Sequence, residues 1–364
     1  MDSKQNYIQL MDRSIGRLFR DALIISRRDP AWAFFLLQTI FRQRKATAVR
    51  HKWEEQGIHV PPLMIFSVTH QCNLRCKGCY AQAQHRSHDS HDQELSVVRL
   101  REIVGEASRL GIGISLLAGG EPLIRPEILE IAADFPEIIF PVFTNGLLVN
   151  EAILRHFKAH KNLVPVISIE GDAEATDRRR GAGVYHQLRR TLQLLQDNQI
   201  FYGVSLTATR NNCTTITGEA FVRDLLQYGC RLFFYVEYVP VKKDTADWVL
   251  TDQQRKALLQ ATAGMRSQYS ALFIAFPGDE AQFGGCLAAG RGFIHISPEG
   301  NLELCPFSPY SDTNLNRISL KDALQSKLLE MIRNNHDRLQ DTAGGCALWE
   351  NREWVESMME KTEK

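Results

Sequence analysis

Three cysteines, Cys72, Cys76 and Cys79, fall in the run Thr69-His70-Gln71-Cys72-Asn73-Leu74-Arg75-Cys76-Lys77-Gly78-Cys79-Tyr80. Three thiolates this close can hold three irons of a [4Fe–4S] cube and leave the fourth iron without a protein ligand. An iron with open positions can bind a small molecule and pass it an electron, whereas a four-cysteine site is more often a closed electron carrier. The spacing C-x3-C-x2-C matches neither a bacterial ferredoxin run nor the paired C-x2-4-C units of a zinc site. A second run, Leu116-Leu117-Ala118-Gly119-Gly120-Glu121-Pro122, sets two glycines and an acid at a predicted strand end. Glycines let a ligand approach the backbone closely, and a carboxylate can accept from an ammonium group. Taken alone, Gly-Gly-Glu-Pro reads equally well as a tight turn.

Three more cysteines lie far down the chain: Cys286, Cys305 within Gly300-Asn301-Leu302-Glu303-Leu304-Cys305, and Cys346. A hairpin followed by a helix can bring them around one cube; the plain alternative is three buried thiols. Cys213 and Cys230 stand alone and read as structural thiols.

The elements that must position these residues follow from periodicity. Strands are expected near 62–68, 113–117, 138–143, 164–169, 202–207 and 232–238. Amphipathic helices are expected between them, near 96–110, 126–135, 150–160, 186–199 and 217–228. Six such repeats predict an α/β fold, a partial (β/α)6 barrel of parallel strands, with chemistry at the C-terminal strand ends. The cysteine run follows the first strand. Thr144-Asn145-Gly146, Ser168-Ile169-Glu170-Gly171, Thr207-Ala208-Thr209-Arg210 and the pair Glu237-Tyr238 follow later ones. Residues 84–94, with His85, His88 and His91, read as a polar loop.

Before the barrel, residues 1–60 form a helical arm. Ile8, Met11, Ile15, Leu18 and Ala22 make one apolar stripe. Asp29-Pro30 opens a second helix whose apolar body is far short of the ~20 residues that span a bilayer. Residues 1–56 carry 11 Lys/Arg against 6 Asp/Glu. Packing against the body and peripheral membrane contact through 30–52 are both open to this arm. After the barrel (61–240), residues 241–364 read as a small C-terminal α+β unit. A helix covers 251–268, a hairpin turns at Pro298-Glu299-Gly300-Asn301, and a helix runs from Ser319 to about Asn334.

The 364 residues are 44% apolar and 23% charged, with a net charge of +1. That is an ordinary globular composition with no electrostatic signal for nucleic acid. Eight clustered and scattered cysteines, with no secretory pattern at the start, point to metal ligation in a reducing cytoplasm.

The two runs together resemble the radical S-adenosylmethionine (radical SAM) superfamily, whose three-cysteine run and GGEP motif both occur here. The resemblance implies that Cys72, Cys76 and Cys79 bind a [4Fe–4S] cluster whose fourth iron is chelated by the amino and carboxylate groups of SAM. The reduced cluster would cleave SAM, and a 5′-deoxyadenosyl radical would take a hydrogen from the substrate. It further implies that Gly119, Gly120, Glu121 and Pro122 hold the SAM amino group. Asn145, Ser168 and Arg210 are expected at SAM, the last two at its ribose or carboxylate. Gly78 stands where relatives often carry an aromatic, which leaves Tyr80 as the residue to lie on adenine. Cys286, Cys305 and Cys346 resemble the auxiliary-cluster domain of the SPASM/Twitch subgroup in its one-cluster form, so an auxiliary [4Fe–4S] cluster is expected. The implied partners are a low-potential electron donor of flavodoxin or ferredoxin type and a peptide or cofactor-precursor substrate. A lipid-like substrate, a non-catalytic Fe–S carrier and a zinc protein are the competing readings.

Overall fold

A computed structural model describes residues 3–27, 29–84, 94–242, 244–339 and 346–362. The histidine segment His85, His88 and His91, together with Lys243, Gly344 and Gly345, lies outside the described residues.

The arm is two long helices, α1 (Ser3–Ile25) and α2 (Pro30–Glu55). The Asp29 carboxylate accepts from the Ala31 and Trp32 amides, and Pro30 occupies the first turn, where its missing N–H costs nothing. Then come β1 (Leu63–Ser67), α3 (Tyr80–Gln84), α4 (Val97–Leu110), β2 (Ile114–Ala118), α5 (Glu127–Ala133), β3 (Phe140–Thr144), α6 (Glu151–Ala159) and β4 (Leu163–Ser168). The chain continues through α7 (Ala173–Arg180), α8 (Val184–Asp197), β5 (Gly203–Ala208), α9 (Cys213–Ile216), α10 (Glu219–Gln227), β6 (Leu232–Glu237), α11 (Asp252–Gln268) and β7 (Leu272–Phe276). It closes with β8 (Phe293–Ile296), β9 (Leu302–Glu303), α12 (Leu320–Ala323), α13 (Lys327–Asn334), α14 (Ala347–Glu350) and α15 (Arg352–Thr362). Side-chain caps at Ser96, Asn150, Asp172 and Thr251 satisfy amides of the first turns of α4, α6, α7 and α11.

One nine-stranded sheet runs β7-β6-β5-β4-β3-β2-β1-β8-β9, parallel throughout except for the β8–β9 pair. The six expected strands and their helices are present within a few residues. The sheet also continues past residue 240 at both edges. On one side β7 extends the βα series beside β6. On the other, β8 takes the hydrogen-bonding edge of β1, Leu63 beside Phe293 through Phe66 beside Ile296. The C-terminal hairpin is therefore stitched to the strand that carries the cysteine run. The buried His295 reinforces this seam, with Nε2 2.8 Å from Ser67 Oγ and Nδ1 2.8 Å from Glu303 Oε2.

The arm packs on the barrel and is not a free extension. Met11, Ile15 and Phe19 of α1 and Trp32 and Leu36 of α2 join the main core. Gln43 Nε2 donates to Gly113 O at 2.9 Å, and Arg50 donates to Gly111 O and Asp12 at 2.6 Å each. No helix among the described residues is long and apolar enough to cross a membrane.

Candidate active site

Past β1 the chain runs along the end of β2, and the two motifs meet backbone to backbone. Gly120 N donates to Thr69 O and Glu121 N to Gln71 O, both at 2.7 Å. A Cβ on Gly120 would lie 2.1 Å from Gln71 O, and one on Gly119 would lie 2.5 Å from Thr69 O. The glycines are required because the cysteine loop itself packs on them, with Gly119 at φ 129°.

Three further ties fix the loop. The Glu94 carboxylate accepts from Thr69 Oγ1 at 3.0 Å and from the His70 amide at 2.8 Å. Asn145 Nδ2 donates to Asn73 Oδ1 at 2.7 Å and approaches Cys72 Sγ at 3.9 Å. Lys77 N donates to Arg179 O at 2.8 Å. Asn145 is in turn placed by Glu121, whose carboxylate accepts from the Asn145 amide at 2.6 Å, Thr144 Oγ1 at 2.7 Å and the Leu123 amide at 3.1 Å. Glu121 is only 1% exposed, and its burial raises the carboxyl pKa against those three donors. Its side chain faces the end of β3, and neither Glu121 nor the buried Pro122 is among the residues lining the cavity described next.

A cavity of about 800 Å³ occupies the barrel. Cys72, Cys76 and Cys79 line its mouth with Tyr80, Gly119 and Gly120. Asn145 and Ser168 also line it, at the ends of β3 and β4. Arg210 does not reach it: its side chain is exposed and Nε donates to Val249 O at 3.1 Å. The cavity is lined by Arg179 and Arg180, at the end of α7, and also by Arg17 of α1 and Arg266 of α11. Arg179 and Arg180 both pair with Glu170, Arg180 by Nη2 at 2.6 Å. Burial raises the Glu170 pKa, but the two guanidiniums outweigh it and hold the carboxyl below the ordinary range. Sequence reasoning passed over these arginines: the run Arg178-Arg179-Arg180 is visible eight to ten residues after Glu170, but not the direction in which it faces.

Gly78 has φ 66°, and a Cβ there would sit 2.7 Å from Tyr238 Oη and 2.9 Å from Trp248. Tyr238, at the end of β6, thus fills the space beside the third cysteine, and it lines the cavity with Glu237. Tyr80 packs edge-on against Phe307, centroids 5.3 Å apart.

The thiols suit a cluster. Cys72, Cys76 and Cys79 are half-buried. Burial pushes Cys72 up to about 11; it raises Cys76 too, with Arg180 and Arg179 opposing. Thiols beside fixed cations bind iron with release of their protons. Among the described residues no three His, Cys, Asp or Glu side chains converge tightly enough for a single metal ion. A cube spreads its ligands over several irons.

The second set is similar. Cys286 follows a 3-10 turn (Gly278–Phe283), Cys305 follows β9, and Cys346 caps α14. Burial raises all three pKa values, Cys346 to about 11; charge on Cys305 and Cys346 raises Cys286 further, and charge on Cys346 raises Cys305. Cys305 also lines the cavity, so one face of this set looks toward the first cysteines. Cys213 and Cys230 are buried apart from both sets, each near a backbone carbonyl.

Residues 66–230 match the model of the radical SAM superfamily. The matched segment, a little under half of the chain, holds both the cysteine run and the Gly119–Pro122 run. It is 27% identical over 303 residues to AlbA, the antilisterial bacteriocin subtilosin biosynthesis protein of Bacillus subtilis, a match covering 78% of this chain and 65% of AlbA. It is 27% identical over 268 residues to the mycofactocin maturase MftC of Mycobacterium tuberculosis, covering 70% of this chain and 66% of MftC. The chain thus spans just under two thirds of the length of these relatives. Among solved structures, Streptococcus suis SuiB bound to its precursor peptide SuiA shares the fold. The TM-score is 0.61 at 17% identity, over 82% of this chain and 71% of SuiB.

Proposed function

We propose that this chain is a radical SAM enzyme that acts on a peptide or cofactor-precursor substrate. The observation that carries the reading is the backbone junction of the Cys72–Cys79 loop with Gly119–Glu121 at the mouth of a large cavity. When bound, the cluster supplies one electron to SAM, and the SAM fragment removes a hydrogen from the substrate.

The chain's own residues do the rest. Cys72, Cys76 and Cys79 hold three irons. The Gly119–Gly120 backbone and Asn145 keep the loop in register with β2 and β3. Arg179 and Arg180, pinned by Glu170, meet a carboxylate, the role expected of Arg210 from sequence. Ser168 offers a hydroxyl at the same rim, and Tyr80 or Tyr238 a ring face. Cys286, Cys305 and Cys346 hold one auxiliary cluster. The electron donor is a low-potential flavodoxin or ferredoxin. The relatives' names support the substrate class, since they concern subtilosin, mycofactocin and a precursor peptide. Anaerobically reconstituted, dithionite-reduced protein should turn SAM into 5′-deoxyadenosine, and Cys76→Ala should not. A loaded cluster without cleavage would favour a non-catalytic carrier.

A second reading has its own observation. The cavity floor is closed by Met11, Ile15 and Phe19 of α1, with Arg17 and Asp21 of the same helix also lining it, while α2 exposes Phe34 (63%), Leu37 (46%) and Phe41 (66%) beside Arg44 and Lys45. This favours a lipid-like substrate drawn from an anionic bilayer surface. The protein should then co-sediment with phosphatidylglycerol vesicles, and Phe34→Ser/Phe41→Ser should abolish this. Absence of sedimentation at low salt removes the second reading.

A further inference from the structure

We infer that Glu280 is the fourth protein ligand of the auxiliary cluster, an inference that rests on the reading of Cys286, Cys305 and Cys346 as a cluster site. Three cysteines leave one iron of a cube without a thiolate; Glu303 lies near Cys305 and Glu350 near Cys346, but Glu280 is the carboxylate near all three. Glu280 is 9% exposed and lines the cavity. Gly285 N donates to its carbonyl at 3.2 Å, and Leu287 N donates to its Oε1 at 3.1 Å. The amides on either side of Cys286 are thus both bound by Glu280, so thiol and carboxylate share one turn. The Glu280 charge acts on all three thiols, Cys286, Cys305 and Cys346.

The carboxylate is also unclaimed. Oε2 has no hydrogen bond or ion pair among the described residues. Arg291 is near enough to be felt electrostatically, but its guanidinium donates to the carbonyls of Phe283, Gly285 and Cys286 and stacks on Tyr7. A buried carboxylate bound to the turn that carries Cys286, with a guanidinium beside it turned to backbone, is arranged to receive a cation. Iron coordinated by carboxylate oxygen exchanges more readily than iron held by thiolate, so this ligand would also be the place where the cluster opens.

The test uses full-length protein in which Cys72, Cys76 and Cys79 are all alanine, so that only the auxiliary cluster is reconstituted. The reference protein should hold about four irons. Glu280→Gln should lose about one iron per cluster on mild oxidation and give the EPR signal of a three-iron cluster. Glu280→Cys should keep all four irons, with a shifted reduction potential. A four-iron cluster in Glu280→Gln, with unchanged EPR spectrum and potential, would overturn the assignment. Failure of the underlying reading looks different: the reference protein itself would bind no iron, and adding Cys286→Ala, Cys305→Ala and Cys346→Ala would change nothing.

Discussion

At the residue scale, Gly120 carries more structural consequence than any side chain of its motif. A Cβ at position 120 would lie 2.1 Å from the Gln71 carbonyl oxygen, which leaves no room for alanine without moving the cysteine loop or the end of β2. Gly120→Ala should cost about 1–3 kcal/mol in chemical denaturation, in the range of overpacking, and lower iron content after reconstitution. Unchanged stability and full iron loading would show that the loop is free to shift. The cysteines and glycines were legible in sequence because their meaning lies in local spacing. Arg179 and Arg180 were not, because their role depends on which way α7 turns toward a glutamate on the preceding strand end. Arg210 shows the converse. It follows β5 as expected, yet the chain there bonds to Trp248 and Val249 and turns the side chain outward.

At the element scale, the β8–β9 hairpin is the link between the two cysteine sets. Its turn reaches the cysteine loop through the His70–Glu299 pair, and Glu299 Oε2 accepts from Ser297 Oγ at 2.8 Å. Burial acts to raise the Glu299 pKa, but His70 and Ser297 outweigh it and hold the carboxyl down at about 2. An unfolded glutamate titrates near ~4.3, so this stabilisation is fully present above that pH and is lost as pH falls toward 2. Wild type should therefore be more stable than Glu299→Gln at pH 6, and the gap should close on acidification, read by urea unfolding across that window. A gap that stays constant with pH would mean that the pair contributes no charge-dependent stability. The hairpin itself was readable from Pro298-Glu299-Gly300-Asn301. Its parallel pairing with β1 was not, since Leu63 and Phe293 are neighbours in the sheet but far apart in sequence, with no local signal. β7 was missed for a related reason: it follows a long helix beyond the apparent end of the repeat.

At the scale of the whole molecule, the cavity spans the barrel from end to end. Its lining includes Leu63, Ile114, Leu232 and Leu272, the first residues of β1, β2, β6 and β7, as well as Ala118 and Ser168 at the far ends of β2 and β4. The cysteines stand at one end and α1 closes the other. The sequence pattern indicated two arm helices, but only the folded chain shows that they form a floor. The proposed function makes one demand above all others: the open iron of a cluster held by Cys72, Cys76 and Cys79 would be where SAM binds. EPR of the reduced cluster, before and after SAM, reads that contact directly in protein whose Cys286, Cys305 and Cys346 are replaced by alanine. The account predicts a change in the g-tensor on adding SAM, diminished in Arg179→Met/Arg180→Met. A fully loaded, reduced cluster whose spectrum is unmoved by saturating SAM would contradict it.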